Sequence, residues 1–286
     1  VADQAQKLRE LVWRAKNKAH VVAVTSGKGG VGKTNTSVNL AIALAARGLR
    51  TILMDADLGL ANVEVLMGLS SMYNIEHVID GERSMSEILC RAPGGIYVVP
   101  GSSGLAKMAD LSATARQNLL QGLDELQESS AFIIIDTMAG IGRNAVSFAA
   151  AADEVLLVTT PEPSAIVDAY AMLKTIYNYR KDSFVRLVVN MVANQAQAKA
   201  VAGKLARVSQ QYLDRNLSCL GFIPRDPHVS QAVMQSQPFL LTYPNAPASK
   251  YIELIAGRLH QQGVIEPHKE GFFKRFANTL GIASNG

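Results

Sequence analysis

Seven short apolar runs alternate with longer amphipathic stretches between residues 20 and 261. This alternation predicts an α/β fold, a doubly wound, mostly parallel sheet with helices on both faces. The runs are almost continuously apolar, as strands buried on both faces must be. A glycine-rich loop joins the first run to the helical pattern behind it. The right-handed crossover rule then places the C-terminal end of every strand on the same sheet edge as that loop.

The strands are read at His20 to Thr25, Arg50 to Asp55, Ile96 to Val99, Phe132 to Thr137, Val155 to Thr160, Val185 to Met191 and Cys219 to Ile223. Helical periodicity fills the gaps, over Asn35 to Arg47, Ala61 to Met67, Ser112 to Glu128, Arg143 to Ala151, Ser164 to Arg180, Ala196 to Leu213, Val229 to Gln235 and Ser249 to Gln261. Ahead of the first strand, Leu8, Leu11, Val12 and Ala15 form one apolar stripe, so residues 1–19 read as a helix with Asp3 as a candidate cap. That helix either packs on its own domain or is offered to a partner groove. Its charge, five basic against two acidic residues, suits a partner or an acidic surface. The expected organisation is an N-terminal partner-binding helix at 1–19, a central domain at 20–265 and an amphipathic segment at 266–286.

Composition narrows the chemistry. The 286 residues are 48% hydrophobic and 18% charged, with formal net charge +4, an ordinary globular balance and no nucleic-acid signature by itself. The two cysteines, Cys90 and Cys219, form no CxxC pair, which argues against a cysteine-held zinc or iron–sulfur site and for a reducing cytosol. The five histidines have no metal-ligand spacing, and no Ser-His-Asp signature is visible. No apolar run approaches the ~18 residues of a membrane span, and no signal peptide is read ahead of the first strand.

The loop Gly27-Lys28-Gly29-Gly30-Val31-Gly32-Lys33-Thr34 satisfies the Walker A pattern in its required strand–loop–helix context. Its glycines let backbone N–H groups converge on phosphate oxygens, and the helix opening at Asn35 adds partial positive charge. Lys33 is expected at the β- and γ-phosphates of ATP, and Thr34 at Mg²⁺. Asp136, after Ile133-Ile134-Ile135, is the Walker B carboxylate, and Gly140 and Gly142 suit a mobile segment. Asp57 is the candidate for orienting the attacking water, with Asp55 supporting the metal shell. Asp57→Ala should then keep ATP binding and lose hydrolysis. Asn190, at a strand end, is a candidate base reader. No Asn-Lys-x-Asp run follows it, which favours adenine over guanine. Thr159, Thr160 and Pro224 share the same edge.

In the tail, Phe272, Phe273, Phe276 and Leu280 fall on one helical face, with Lys274 and Arg275 beside or opposite. Large apolar residues beside basic ones suit an interfacial helix on an anionic membrane, and a dimer would bind more firmly by avidity. Docking on the protein's own surface, with later release, is the competing expectation.

With these residues in place, the chain resembles the MinD/ParA family. Lys28 with Lys33 forms the deviant Walker A of that group. Asp55-Ala56-Asp57-Leu58-Gly59-Leu60-Ala61-Asn62 is similar to its switch I, and Asp136 to Gly142 to its switch II. Gly271 to Phe276 is similar to its membrane-targeting helix. Asp3, Gln4, Ala5, Leu8 and Arg9 match an N-terminal motif of the FlhG (FleN) branch of flagellar-number regulators. The resemblance implies an ATP-dependent, Mg²⁺-requiring homodimer in which Lys28 reaches the partner's nucleotide. It also implies peripheral attachment to the inner face of the cell membrane in the ATP state. The implied partners are an FlhF-type signal-recognition GTPase, a flagellar master transcription regulator and flagellar switch proteins. A MinD-like division-site ATPase and a ParA-type DNA-partitioning ATPase are the alternatives. The N-terminal motif weighs against the first, and the short phenylalanine-rich tail weighs against direct DNA binding.

Overall fold

The computed structural model describes residues 18–56, 62–100, 111–262 and 271–280. Among them eight strands form one sheet in the order β3-β4-β2-β5-β1-β6-β7-β8. The strands are β1 (His20–Ser26), β2 (Thr51–Ala56), β3 (Cys90–Arg91), β4 (Tyr97–Val99), β5 (Phe132–Ala139), β6 (Glu154–Thr159), β7 (Val185–Val192) and β8 (Ser218–Pro224). Every pairing is parallel except the two-residue contact of β3 with β4.

The helices are α1 (Lys33–Ala45), α2 (Asn62–Met67), α3 (Ile75–Ile79), α4 (Met85–Ile88), α5 (Ala113–Ser129), α6 (Arg143–Ala151), α7 (Pro163–Tyr179), α8 (Gln195–Leu213), α9 (Pro227–Met234), α10 (Phe239–Thr242), α11 (Pro247–Gln262) and α12 (Phe272–Thr279).

Both sheet faces are covered, and β1 shows how. Val22 and Val24 point into a core shared with Leu40 and Leu44 of α1 and Ile252 and Leu259 of α11. Val21 and Ala23 point the other way, into a core shared with Leu119 and Leu123 of α5 and Phe148 of α6. A strand with period two between two apolar layers has to be apolar throughout, which is what its sequence reads.

Four short elements, β3, α3, α4 and α10, add to the expected set. Pieces of two to five residues carry no usable periodicity. Both α3 and α4 nevertheless begin with a legible signal, Asn74 bonded to the Glu76 N–H and Ser84 paired with Glu87. β5 continues two residues beyond the expected Thr137, because Ala139 pairs with Ser26.

Candidate nucleotide site and the docked C-terminal helix

The loop between β1 and α1 is held from three sides. Gly27 lies against α7, where a Cβ would come within 2.0 Å of the Asp168 carbonyl oxygen. Gly32 adopts φ 87°, and a Cβ there would meet the Asn190 amide nitrogen at 2.3 Å. Only glycine satisfies both the left-handed backbone and that close approach. Ser26 Oγ donates to the Lys28 carbonyl at 2.8 Å, anchoring the start of the loop.

Behind the loop, three side chains meet at the end of β5. Thr34 Oγ1 donates to Asp136 Oδ2 at 2.6 Å, and Ser37 Oγ donates to Asp136 Oδ1 at 2.8 Å. Asp136 and Ser37 are buried, as is Lys33 in the first turn of α1. Register explains the meeting, since Val24 of β1 and Asp55 of β2 both pair with Asp136 across β5. Ser37 was not among the expected site residues. Its spacing from Lys33 places it one helical turn on, on the same face, and that is the signal that finds it.

Lys28 takes a different position. Its ammonium donates at 2.9 Å to both Glu162 Oε2 and Ser164 Oγ, at the exposed start of α7. The hydrogen bond and charge of Lys28 hold the Glu162 carboxyl below its usual range. Beside this pair opens a cleft of about 270 Å³, lined by Thr160, Pro161, Met191, Ala193, Gln197 and Arg225 together with Glu162. Of the cleft residues, Gln197 lies in the first turn of α8, away from any strand end, and Arg225 lies one position beyond the end of β8, so neither was among the expected site residues.

Asn190, at the end of β7, is bonded to the loop backbone. Its amide nitrogen donates to the Val31 carbonyl at 2.8 Å, and its Oδ1 accepts from the Met191 N–H at 2.8 Å. It pins the phosphate loop to β7, and the cleft is lined by its neighbour Met191, which has φ 57°. Asp55 Oδ2 accepts the Val63 N–H of α2 at 3.0 Å. Pro224 closes β8, and the following Arg225 N–H donates to the Val192 carbonyl at 2.9 Å. Asp57, Asp3, Gln4, Ala5, Leu8 and Arg9 lie outside the described residues.

The residues present fit a magnesium nucleotide. Thr34 and Asp136 offer hard oxygen donors of the kind Mg²⁺ prefers. Among the described residues, Asn35 Oδ1 and Thr160 Oγ1 are buried without a hydrogen-bond partner, one behind the loop and one at the cleft. Buried polar atoms are normally satisfied, so a ligand is the natural partner for both.

The tail folds back on the molecule. Phe272, Phe273 and Phe276 of α12 are 0% exposed, in the core shared by α5 and α6. The Phe276 ring stacks on Phe148 with centroids 4.1 Å apart. Arg275 Nε donates to the Ala151 carbonyl at 2.8 Å, and Arg275 Nη2 pairs with Asp153 at 2.5 Å. Arg143 Nη2 donates to the Leu280 carbonyl at 2.8 Å. The face expected to meet a membrane is therefore covered by the protein itself, and of the two basic residues only Lys274 is exposed. No helix among the described residues is long and apolar enough to cross a membrane.

Comparison with known proteins agrees with this geometry. The family model for the CobQ/CobB/MinD/ParA nucleotide binding domain matches residues 22–239. The antiactivator FleN of Pseudomonas aeruginosa is 41% identical over 84% of this chain and 85% of its own length. The flagellum site-determining protein YlxH of Helicobacter pylori is 37% identical over 93% of this chain and 92% of its own. Among solved structures, MinD in the MinC:MinD cell division complex of Aquifex aeolicus superposes with TM-score 0.68 at 28% identity, covering 88% of this chain and 99% of that one. The chain belongs to the CobQ/CobB/MinD/ParA nucleotide-binding family, in its FlhG/FleN branch.

Proposed function

We propose that this chain is a MinD-like switch ATPase that regulates flagellar number and placement, with ATP deciding whether it is a monomer or a membrane-bound dimer. The observation that carries the switch is the contrast between the loop's two lysines. Lys33 is buried behind the loop, where only a phosphate bound in the same subunit can use it. Lys28 sits at the open rim, held by groups it can leave, where a second subunit's nucleotide can reach it.

Each residue's proposed role follows from its position. The backbone of Gly27, Gly29, Gly30, Val31 and Gly32 would cradle the phosphates, and Lys33 would balance charge on the β- and γ-oxygens. Thr34 and Asp136 would hold Mg²⁺, with Ser37 fixing the carboxylate's orientation. Mg²⁺ held by these groups would offset negative charge on the phosphate oxygens. Asp57 would orient water, and Asp55, which also accepts the Val63 N–H, would support the metal shell. Adenine would enter the cleft beside Arg225, with Pro224 and Met191 shaping its rim. Asn190 would keep the loop in shape through Val31 while its remaining hydrogen-bonding capacity reads the adenine edge.

The proposed partners are a second copy of this chain, an anionic membrane surface, an FlhF-type GTPase engaged by Asp3 to Arg9, and flagellar regulator and switch proteins. In the monomer α12 is stowed; in the ATP-bound dimer it would leave and meet the bilayer. The identities to FleN and YlxH, against 29–30% to the septum site-determining MinD proteins of Escherichia coli and Bacillus subtilis, favour the flagellar over the division-site reading.

Size-exclusion chromatography with ADP, with ATP and with Asp57→Ala plus ATP tests the switch. A dimer with ATP that persists in Asp57→Ala is expected. A monomer under all three conditions would overturn it. Liposome flotation with and without ATP, using the full chain and a version ending at residue 269, tests the membrane arm.

A further inference from the structure

The hydrogen bonds around α6 raise the question of how a nucleotide at one sheet edge could release a helix packed on one face. We infer that Arg143 is the positioning residue that ties the nucleotide-sensing segment after β5 to the docked α12. The inference rests on the stowed-helix reading above and names its control point.

Three contacts along α6 hold α12. At the C-terminal end of α6, Arg275 binds the Ala151 carbonyl and Asp153. In the middle, Phe148 stacks on Phe276. At the N-terminal end, Arg143 donates to the carbonyl of Leu280, the C-cap of α12. The last carbonyls of a helix lack intrahelical donors and carry partial negative charge, so a guanidinium there both fills a hydrogen bond and meets the dipole.

Of these three contacts, the Arg143 contact adjoins the segment that follows β5. Arg143 is the first residue of α6, one position after its N-cap Gly142. Gly140, at φ 87°, donates its N–H to the Ser26 carbonyl at 2.9 Å, and Ser26 in turn bonds the loop at Lys28. Asp136, three residues before Ala139 on β5, holds Thr34. The chain from Asp136 to Arg143 thus leads from the metal-holding carboxylate to the C-terminal end of α12. Ile141, within it, is 56% exposed, so the segment can shift without opening the core. A shift of about 1 Å would stretch a 2.8 Å bond past useful length. The Arg275 anchor, at the far end of α6, lies off that segment.

Amide hydrogen exchange of the full chain, with ADP and with a non-hydrolysable ATP analogue plus Mg²⁺, tests this. In the wild type, α12 amides should be protected with ADP and at least tenfold less protected with the analogue. Arg143→Ala should lose about tenfold of the ADP-state protection, so that the ratio between nucleotides falls toward one. Nucleotide affinity and β1 protection should be unchanged. Arg143→Lys, which can still donate to Leu280, should restore part of the ratio. Arg275→Ala should lower protection in both states and keep the ratio, as a purely structural anchor does. An Arg143→Ala protein with the wild-type ratio would overturn the coupling while leaving the stowed-helix reading intact. A wild-type α12 equally protected in both states would overturn that reading and the coupling with it.

Discussion

The phosphate loop and α12 are both short and both make contacts essential to the proposed switch, yet they are held in opposite ways. The loop is held by directional polar contacts, from the Asn190 amide to Val31, from Ser26 to Lys28, and from Thr34 and Ser37 to Asp136. α12 is held mainly by three buried phenylalanines, with Arg275 and Arg143 at its flanks. Directional contacts define one geometry and lose function when it shifts. Apolar burial is non-directional, so the same face can be satisfied by a protein core or by lipid. The molecule uses the first for chemistry and the second where a surface has to change partners.

Substitutions in the loop should remove activity and spare stability, whereas those in α12 should do the reverse. The largest effect is expected at Lys33 and Asp136. Lys33→Ala and Asp136→Asn should each lower ATP hydrolysis by about 10² to 10³-fold, the usual loss for a preorganised electrostatic group. Steady-state phosphate release measures it, and a melting temperature near wild type would confirm that the fold is intact. Hydrolysis within threefold of wild type in Asp136→Asn would remove that carboxylate from the metal site.

Next comes Phe276→Ala, which should weaken docking of α12 by roughly 3 kcal/mol, the low end for a buried phenylalanine. Because α12 can leave without unfolding the sheet, hydrogen exchange of its own amides should register the loss more than the global melting temperature does. Hydrolysis should change by less than twofold. A large drop in hydrolysis would erase the contrast between the two regions.

A smaller effect should come from Asp226, which caps α9 through the His228 N–H and also accepts the Ala248 N–H at the start of α11. Burial pushes its carboxyl upward, but the two backbone donors and the His228 ring outweigh this and hold it below its ordinary value. A group depressed on folding stabilises above its unfolded pKa and loses that contribution as pH falls through the folded value. Urea unfolding between pH 7 and pH 3 should therefore show a shallower pH dependence in Asp226→Asn than in the wild type. An unchanged slope would show that the Asp226 charge contributes nothing.

The smallest effect should follow Glu162→Gln. Its pairing with Lys28 is solvent-exposed, and exposed pairs contribute little to stability. The melting temperature should stay within a degree, while freeing Lys28 should increase the dimer fraction with ATP at limiting protein concentration. Analytical ultracentrifugation distinguishes this from a lysine whose position is set by the loop alone.

Legibility in the sequence tracked how local the determining physics is. The glycine spacing, Lys33, Thr34 and the aspartate after Ile133 to Ile135 are encoded within a few residues of one another or at strand ends, and the structure brings Thr34 and Asp136 together. Ser37 was legible one turn beyond Lys33 but needed the helix frame. The bond from the Asn190 amide to Val31 is not legible in the sequence, because the loop backbone that the amide meets is 159 positions away. The buried pairing of Glu154 with Arg186 joins the starts of adjacent strands β6 and β7, with His20 of β1 at 3.1 Å. Charged residues in apolar runs gave no hint that they would find one another.

By itself the sequence determined the parallel sheet, the glycine loop and the edge on which the polar strand ends gather. Those follow from backbone geometry, from period and from crossover handedness, which act locally or by general rule. Only the tertiary structure decided where the phenylalanine face of residues 272–280 goes and what Asn190 binds. An amphipathic helix specifies that it must bury one face but not against what. That choice depends on whether α5 and α6 leave a matching groove, a property of the assembled core.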